Sequence, residues 1–328
     1  VFTAFGFSNL KPAPCNVYSA PLLAAAVGVR VVERFSVDER GNEEARKLLR
    51  LGVDDTAPLT SLAVQGGRKA AGPDAASFYA SADTRLLLPA ADPVTADVAS
   101  GVDFTRWKDG AGAFQTYSAP IPLAEGSHLV AYQSQDRVTN LEVLRSTTVL
   151  IDATAPVSAV AVGAPSFVAA DGTRYITPAA RVTFTAQAPA LPGGPAGSGL
   201  ERIEVAVDGG AFGAYAGALT FPEGRHTVQF RALDRVGNVE AAQTLALRSD
   251  ATPPVTALAA GGTYYSVAGR DYAPAPFLYT LPAQDPVASD VASGVASTSY
   301  AVDAAPLQAY SAAFQLAEGV RTVSFQSR

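Results

Sequence analysis

The chain has 328 residues, more than one ordinary domain needs, and a prior of about 100 to 200 residues per domain predicts two to four domains. Apolar residues make up 48% of the chain and charged residues 16%, a composition that allows packed cores and excludes a disordered chain. The net charge of -6, without a basic stripe, argues against a nucleic-acid partner.

Cysteine and hydropathy narrow the class of protein further. Cys15 is the single cysteine, so burial and not an internal disulfide has to stabilise the fold. No apolar run approaches the ~18 residues of a membrane helix, which predicts no membrane span in this segment. The chain contains no methionine, and we expect it to begin inside a longer polypeptide.

The sequence repeats itself every 98 residues. The strings "DDTAPLTSL", "DATAPVSAV" and "DATPPVTAL" begin at Asp54, Asp152 and Asp250. The strings "DERGNEE", "DRVTNLE" and "DRVGNVE" place an Asp and an Asn at the same spacing, as Asp38 and Asn42, Asp136 and Asn140, and Asp234 and Asn238. We therefore predict the C-terminal half of a repeat at 1–52, complete repeats at 53–150 and 151–248, and a repeat lacking its last strand at 249–328.

The first ambiguous element is "NEEARKLLRLG", residues 42–52. Propensity favours a helix here, with Glu43 four residues before Lys47 and Gly52 as a C-cap. The segment occupies the slot of "NLEVLRSTTVL" and "NVEAAQTLALR", each the final strand of its repeat. We predict a strand over 43–51, with a helix as the alternative.

Later segments alternate apolar and polar residues, which is typical of strands. In "LERIEVAVDGGAFGAYAG" the residues Ile203, Val205 and Val207 are predicted to point inward, and "DGG" to turn the chain into a hairpin. The other predicted inward positions are Thr105, Trp107 and Asp109, Val228, Phe230 and Ala232, and Thr298, Tyr300 and Val302. About seven short strands per copy predict an all-β fold, a tandem array of immunoglobulin-like antiparallel β-sandwich domains.

The string "SGVASTSYAVD...LQAYSAAFQLAEGVRTVSFQSR", with "DRVGNVE" and the "DATPPVT" linker, resembles bacterial immunoglobulin-like tandem repeats. The resemblance is closest to the repeats of the leptospiral outer-membrane-protein type, and it covers essentially the whole chain. Such repeats occur in large secreted or surface-attached bacterial proteins as stalks, adhesins or accessory modules. The resemblance implies an extracellular or cell-surface location and neighbouring repeats of the same polypeptide as partners.

The recurring polar residues are predicted to shape turns and linkers. In the three Asp and Asn pairs, we expect both side chains to bond local backbone and a Gly or Asn to adopt a left-handed conformation. The linker residues are Asp54 and Pro58, Asp152 and Pro156, and Asp250 and Pro254. Because proline stiffens the joint and forces the preceding residue to be extended, these linkers predict a semi-rigid rod.

Candidate catalytic groups are scarce. His128 and His226 share one slot, which Arg30 and Arg321 fill in the other copies, and we interpret both histidines as exposed strand residues. A serine or cysteine nucleophile therefore has no base. The predicted function is a non-enzymatic stalk, spacer or fibre-forming unit without a cofactor. Self-association through an unpaired strand edge and binding to a host surface stay open.

Two binding hypotheses compete with this interpretation. Calcium needs six to eight oxygen ligands, and two loops supply carboxylates at matching places, Asp92 and Asp97, and Asp285 and Asp290. The middle copy, "APALPGGPAGSGL", has no carboxylate in this loop, and the three junction aspartates are a second calcium candidate. The other hypothesis is an accessory glycan-binding module of a secreted polysaccharide-degrading enzyme, with Trp107, Tyr264 and Tyr265 as surface aromatics.

Overall fold

The computed structural model describes residues 2–7, 16–17, 20 and 26–328. Cys15 lies outside the described residues. The described chain forms strands and turns without a helix, which confirms the predicted all-β class, and it therefore contains no helix able to cross a membrane. It divides into two compact units. Unit 1 consists of Val1–Ala155, Ala188–Gly199 and Asp234–Asn238, and unit 2 of Pro156–Gln187, Leu200–Leu233 and Val239–Arg328.

The first sheet of unit 1 has the order β2-β1-β3-β4. Its strands are β1 (Phe2–Phe7), β2 (Asn16–Val17), β3 (Gly28–Val37) and β4 (Lys47–Val53). Strand β4 runs antiparallel to β3, from the pair Gly28 and Val53 to the pair Arg34 and Lys47. The strand predicted over 43–51 is thus confirmed from Lys47 onward, because the main-chain ladder with β3 outweighs the helical propensity of the segment.

A two-layer sandwich follows in unit 1. Its strands are β5 (Leu59–Thr60), β6 (Ala63–Gln65), β7 (Lys69–Ala71), β8 (Ser77–Ser81), β9 (Arg85–Leu87), β10 (Ala90–Ala91), β11 (Val102–Asp109), β12 (Gln115–Thr116), β13 (Ile121–Pro122), β14 (Gly126–Asp136) and β15 (Arg145–Asp152). One sheet has the order β12-β11-β14-β15-β8-β7 and another the order β13-β9-β6, while β5 pairs with β10. Val130 of β14 and Leu86 of β9 belong to one buried cluster, so the two sheets pack face to face.

Unit 2 contains a second sandwich of the same kind. Its strands are β16 (Val157–Val162), β17 (Ser166–Val168), β18 (Arg174–Ile176), β19 (Val182–Gln187), β20 (Leu200–Val207), β21 (Gly213–Ala214), β22 (Gly224–Asp234) and β23 (Gln243–Ser249). A sheet of order β17-β18-β23-β22-β20-β21 and the pair β16-β19 enclose one core, which includes Val228 of β22 and Phe184 of β19. This arrangement of sheets is that of an immunoglobulin-like sandwich.

The remaining strands of unit 2 form smaller sheets. They are β24 (Val255–Thr256), β25 (Ala259–Ala260), β26 (Tyr265–Val267), β27 (Arg270–Tyr272), β28 (Leu278–Thr280), β29 (Ala283–Gln284), β30 (Thr298–Val302), β31 (Gln308–Ala309), β32 (Phe314–Gln315) and β33 (Val323–Ser327). The sheets have the orders β31-β30-β33 and β25-β28-β32, and the pairs β24-β29 and β26-β27 complete the set.

The predicted inward positions of the second sandwich can be compared with its core. Val228, Phe230 and Ala232 are buried, as predicted, and β20 with β21 forms the predicted hairpin. Val207 is exposed, contrary to the prediction. It is the last residue of β20, where the chain already turns away from the core through Asp208 and Gly209, both at positive φ.

Candidate functional site

The Asp–Asn stretches all fold into the same turn, which closes the end of a long strand. In the first sandwich, Asp136 Oδ1 accepts the main-chain N–H groups of Val138 at 3.0 Å and Asn140 at 2.7 Å. Asn140 Nδ2 donates to Asp136 Oδ2 at 2.7 Å. The corresponding hydrogen bonds within the other two turns join Asp38 to Arg40 and Asn42, and Asp234 to Val236 and Asn238.

The positive φ of these turns falls one residue before the Asn and never on the Asn itself. Gly41 and Gly237 adopt φ values of 84° and 91°, and Thr139 adopts 78°. The prediction of a left-handed Gly is therefore right at two turns, whereas a left-handed Asn occurs at none of the three. The turn of the first sandwich forces a β-branched side chain into a conformation that favours glycine.

The same turn also holds the linker that precedes each sandwich. Asn140 Nδ2 donates to the main-chain oxygen of Asp54 at 3.1 Å, and Asn238 Nδ2 donates to that of Asp152 at 3.0 Å. The side chain of each linker Asp then bonds forward along its own segment. The Oδ1 atoms of Asp54, Asp152 and Asp250 accept the N–H groups of Thr56, Thr154 and Thr252 at 3.1, 3.2 and 3.0 Å.

A third segment reaches this end of the first sandwich, the loop between β10 and β11. Asp54 Oδ2 accepts the N–H of Ser100 at 2.7 Å, and Asp92 Oδ2 accepts the N–H of Gly101 at 2.6 Å. One carboxylate oxygen of each of Asp54, Asp92 and Asp136 lies within 4.8 Å of those of the other two. Linker, loop and turn thus bring three carboxylates together, and we call these residues the Asp54 cluster.

The carboxylates of the Asp54 cluster differ in how well they are hydrogen-bonded. Asp136 is fully buried and accepts three hydrogen bonds. Asp92 Oδ1 is buried as well, yet no donor of the described residues reaches it. Burial acts to raise the pKa of Asp54, but the N–H donors of Thr56 and Ser100 outweigh it and lower that pKa below 3.8. Asp54 is therefore held in its charged form at neutral pH.

The third repeat contains two members of the same arrangement. Asp250 Oδ2 accepts the N–H of Ser293 at 2.7 Å, and Asp285 Oδ2 accepts the N–H of Gly294 at 2.7 Å. Asp285 is only 9% exposed, and its Oδ1 has no hydrogen-bond partner among the described residues. The unpartnered oxygen of Asp92 thus recurs at the corresponding carboxylate.

The middle repeat has a linker aspartate at the corresponding position but no second carboxylate beside it. Asp152 Oδ2 accepts the N–H of Ser198 at 2.6 Å, but Ala190 stands where the first repeat has Asp92. Gly197 packs so closely that an added Cβ would lie 3.1 Å from Asp152 Oδ2. The main chain of Gly197 therefore lies close to the linker carboxylate in this copy.

The four residues predicted as calcium ligands fall into two groups. Asp92 and Asp285 lie beside a linker Asp, as described above. Asp97 and Asp290 are exposed at the tips of tight turns, at φ values of 63° and 60°. In each turn both central residues have positive φ, a conformation that Asp tolerates better than most residues. Sequence proximity suggested Asp97 as the partner of Asp92, whereas the structure brings Asp54 and Asp136 to it.

The two histidines are not exposed, contrary to the prediction. The side chains of His128 and His226 are 15% and 10% exposed. His226 Nδ1 lies 2.8 Å from Asp208 Oδ2, and its Nε2 lies 3.0 Å from the main-chain oxygen of Pro222. His128 makes the same pair of contacts with Asp109 and Ala124. Each histidine therefore joins a strand to the turn beside it.

Glu125 and Glu223, each followed by a glycine at the start of a long strand, bond to the linkers, a role that we did not predict. Glu125 Oε1 accepts hydrogen bonds from the main-chain N–H of Ala153 at 3.2 Å and the hydroxyl of Thr154 at 2.6 Å. In unit 2, Glu223 Oε1 accepts one from the hydroxyl of Thr252 at 2.9 Å. Glu125 and Thr154 recur as Glu223 and Thr252 at the same spacing, and this recurrence could have indicated the contact.

The aromatic residues of the glycan hypothesis lie in two kinds of surroundings. Trp107 is partly buried and packs against the core of the first sandwich. Tyr264 and Tyr265 are exposed, and Tyr265 lies opposite the exposed Tyr272 in the hairpin of β26 and β27. The structure thus leaves an aromatic surface at this hairpin and none at Trp107.

Comparison with known proteins leaves the family open. No family model matches the chain, and no curated protein matches it. Among solved structures, the chain is similar to the fibronectin(III)-like modules of Clostridium thermocellum CbhA, with 17% sequence identity and a TM-score of 0.30. The match covers 58% of this chain and 94% of that chain. A likeness of this size carries no conclusion about activity, and membership of the leptospiral-type repeats stays a prediction.

Proposed function

We propose that this chain is a non-enzymatic segment of a large extracellular bacterial protein, in which successive immunoglobulin-like repeats form a semi-rigid stalk or spacer. The observation that carries the proposal lies within unit 1. The loop Ala188–Gly199 and the turn Asp234–Asn238 belong, by sequence, to the repeat predicted at 151–248. Both pack with the preceding repeat in one compact unit, so the joint between the two repeats is packed.

The joint has an apolar centre. Tyr79, Leu150, Leu191 and Val236 form a buried cluster to which both repeats contribute. Each of the four is at most 8% exposed. Burying a side chain of this size stabilises by about 1.5 to 3 kcal/mol, so four of them oppose opening of the joint.

Polar contacts restrain the linker beside this centre. Asn238 bonds to the main-chain oxygen of Asp152, and Glu125 bonds to Ala153 and Thr154. A linker whose backbone and side chains are bonded on both sides behaves as a fixed joint and not as a flexible tether. The recurring Asp, Asn and Glu residues thereby have a structural role, which supports a mechanical function.

A distance measurement within unit 1 tests the joint. Spin labels at V143C and P192C, with Cys15 changed to serine, report the separation between the two repeats by electron–electron double resonance. The proposal predicts one narrow distance distribution, and a broader one when Val236→Ser opens the apolar centre. The matched control Val239→Ser changes an exposed valine. A distribution that is broad in the parent protein contradicts a semi-rigid stalk.

Location and assembly need separate experiments. Antibodies against this chain should label intact bacteria, and labelling only after lysis contradicts an extracellular segment. Self-association into a fibre is the alternative form of the mechanical function. A monodisperse monomer in sedimentation at high protein concentration argues against the fibre and leaves the spacer in place.

A second candidate function rests on the exposed hairpin of β26 and β27. Tyr264, Tyr265 and Tyr272 offer aromatic faces, on which sugar rings can stack through apolar and C–H contacts. Affinity electrophoresis in polysaccharide-containing gels tests this accessory role. Tyr265→Ala with Tyr272→Ala should abolish retardation, whereas Phe167→Ala, on the exposed hairpin of β17 and β18, should not.

A further inference from the structure

The Asp54 cluster concentrates negative charge without a matching donor for every oxygen. Carboxylates within 4.8 Å of one another repel when both are ionised, and the lower dielectric at a protein surface strengthens that repulsion relative to water. A buried carboxylate oxygen such as Asp92 Oδ1 also loses its hydration when it has no hydrogen-bond partner. A cation bound among the three carboxylates removes both penalties.

We propose that Asp54, Asp92 and Asp136 together bind one calcium ion. Asp92 supplies the unpartnered Oδ1, and Asp54 and Asp136 each supply a carboxylate oxygen from the linker and the turn. Ser100 lies between these segments, and its buried Oγ has no partner among the described residues, so a neutral oxygen is available as well. Water supplies the remaining ligands of a six- to eight-coordinate ion.

The donor set fits calcium better than other common ions. All donors are oxygens, which hard cations prefer and which zinc or copper sites rarely use alone. The carboxylate oxygens lie within 4.8 Å of one another. Two ligands of a calcium ion bound at about 2.4 Å are at most about 4.8 Å apart, so the spacing allows one calcium ion to reach all three carboxylates. Magnesium demands near-ideal octahedral geometry and keeps its water ligands, so it suits three protein carboxylates less well.

The third repeat supplies an independent observation that points to a bound cation, a second buried carboxylate oxygen without a hydrogen-bond partner. Asp285 is more than nine-tenths buried, lies beside Asp250, and has an Oδ1 without a partner among the described residues. The middle repeat has Ala190 at the place of this carboxylate. The unpartnered carboxylate oxygen thus occurs where the paired carboxylates occur, whereas the unpartnered Oγ of Ser100 recurs at Ser198 in the middle repeat.

Arg137 is a cationic side chain beside the loop, but its contacts are with main-chain oxygens and not with the carboxylates. The main-chain N–H of Arg137 donates to Gly101 O at 3.1 Å, and its Nη1 donates to the main-chain oxygen of Ser100 at 3.5 Å. Arg235 has the same N–H contact with Gly199 O in the repeat whose loop has lost its carboxylate. The arginine therefore accompanies the loop whether or not the carboxylate is present.

A bound ion would stiffen the joint that precedes the first sandwich. The loop of Asp92 packs against the sheet of β1–β4, since an added Cβ on Gly28 would lie 3.4 Å from Ala96 and one on Gly52 would lie 3.3 Å from Val98. Calcium would tie this loop to the linker and to the turn. The inference goes beyond the proposed function, because a chain that binds no calcium still fits a spacer.

Calcium titration of the full 328-residue chain, after chelator treatment, tests the site. Calorimetry gives the stoichiometry and affinity, and urea unfolding followed by the fluorescence of Trp107, the single tryptophan, reports the first sandwich. The test variant is Asp92→Asn, which keeps the side-chain shape and removes one charge. The matched control is Asp97→Asn, five residues along the same loop at the exposed turn tip.

The proposal predicts that calcium at about 1 mM shifts the Trp107 unfolding midpoint of the parent protein upward, and magnesium much less. Asp92→Asn should weaken calcium binding by about tenfold or more, because a charged ligand is lost. Without calcium, Asp92→Asn should be at least as stable as the parent, because repulsion within the cluster falls. A merely structural Asp92 predicts the opposite sign for that last measurement.

Several outcomes overturn the proposal. They are the absence of any calcium-dependent shift in the parent, an equal shift with magnesium, and equal calcium affinity in Asp92→Asn and the parent. A loss of binding in Asp97→Asn but not in Asp92→Asn also overturns it. If Asp92→Asn fails to fold by circular dichroism, Asp54→Asn takes its place in the calcium and magnesium measurements. The stability comparison without calcium is then left out, because both oxygens of Asp54 accept main-chain N–H groups.

Discussion

The hydroxyl of Tyr79 donates a 3.0 Å hydrogen bond to the main-chain oxygen of Ala196, 117 residues further along the chain. Tyr79 lies on β8 of the first sandwich, and Ala196 lies in the loop that precedes β20. The ring of Tyr79 packs with Leu191 of the same loop. The stability of the first sandwich should therefore depend on residues of the next repeat.

Substitution of Leu191 by alanine tests this dependence. Leu191 is buried beside Tyr79, Leu150 and Val236, and removing such a side chain costs about 2 to 5 kcal/mol. Because Trp107 reports the first sandwich, its fluorescence transition in urea should move to lower urea in Leu191→Ala. The exposed Leu129→Ala serves as the control and should leave the midpoint nearly unchanged. Equal midpoints for Leu191→Ala and the parent would show that the repeats unfold independently.

The turn of the first sandwich is strained at one residue. Thr139 adopts a φ of 78°, where the other two turns have Gly41 and Gly237. Thr139→Gly should raise the free energy of unfolding, because relief of a left-handed β-branched residue, of order 1 to 3 kcal/mol, exceeds the entropic cost of glycine. Trp107 fluorescence in urea measures the change. The reciprocal Gly237→Thr should destabilise the second sandwich, and a loss of stability in Thr139→Gly would contradict the account.

Glu240, which follows the turn of the second sandwich, makes stability sensitive to acid. Burial acts to raise the pKa of Glu240, but hydrogen bonds from Ser158, then Gln243 and Ala232, outweigh it and lower that pKa below its ordinary value of 4.5. A carboxylate with a lowered pKa stabilises the fold above its unfolded pKa, and this contribution is lost as pH falls through the folded pKa. The contribution of Glu240 should therefore be present at pH 7 and decline below about pH 4.5.

Glu240→Gln separates this contribution from the rest of the protein. An amide has an NH₂ group where the carboxylate accepts from Ser158 and Ala232, so the variant should lose about 1.5 to 3 kcal/mol at pH 7. The difference from the parent should shrink as the pH falls below 4.5. Calorimetric unfolding between pH 3 and 7 measures it, with the exposed Glu39→Gln as control. A difference that does not vary with pH would exclude an ionised Glu240 as its source.

The sequence predicted the local structure better than it predicted the clusters. Turns such as Asp234 to Asn238 depend on neighbouring residues, so their recurrence predicted where they occur, and the strand at Lys47 followed from its place in the repeat. The Asp54 cluster joins a linker, a loop and a turn that are far apart in sequence. The pairing of the strands brings these segments together, and the sequence alone does not show it. The prediction therefore relied on nearness in sequence and paired Asp92 with Asp97 instead of Asp136.

The expected exposure of the histidines was wrong for two reasons. Alternation along β22 puts His226, two residues before Val228, on the same inward face as that buried valine, so the strand pattern already argued against exposure. It could not indicate that Asp208, at the end of the neighbouring β20, covers the ring. A contact between strands depends on their register, which a single strand does not reveal.

Replacement of His226 by arginine tests whether this position requires two hydrogen-bond donors. Both ring nitrogens face oxygen acceptors, Asp208 Oδ2 and the main-chain oxygen of Pro222, while a neutral imidazole has one N–H to donate. Arg321 fills the corresponding slot in the third repeat, where Nη1 donates to Asp303 at 3.0 Å and Nε to Ala317 O at 3.3 Å. At pH 8, His226→Arg should therefore be as stable as the parent or more stable by about 1 kcal/mol, and His226→Ala less stable.

The contact between His226 and Asp208 also predicts how stability depends on pH. Hydrogen bonds from the Thr227 main chain, and then from His226, lower the pKa of Asp208 below its ordinary value of 3.8. The stabilisation by the Asp208 carboxylate is thus present above about pH 3.8 and is lost as pH falls through its folded pKa. His226→Arg should keep this acid transition, since arginine still donates to the carboxylate, whereas Asp208→Asn should remove its part of the pH dependence. Equal free energies of unfolding for His226→Arg and His226→Ala at pH 8 would show that position 226 does not require two hydrogen-bond donors.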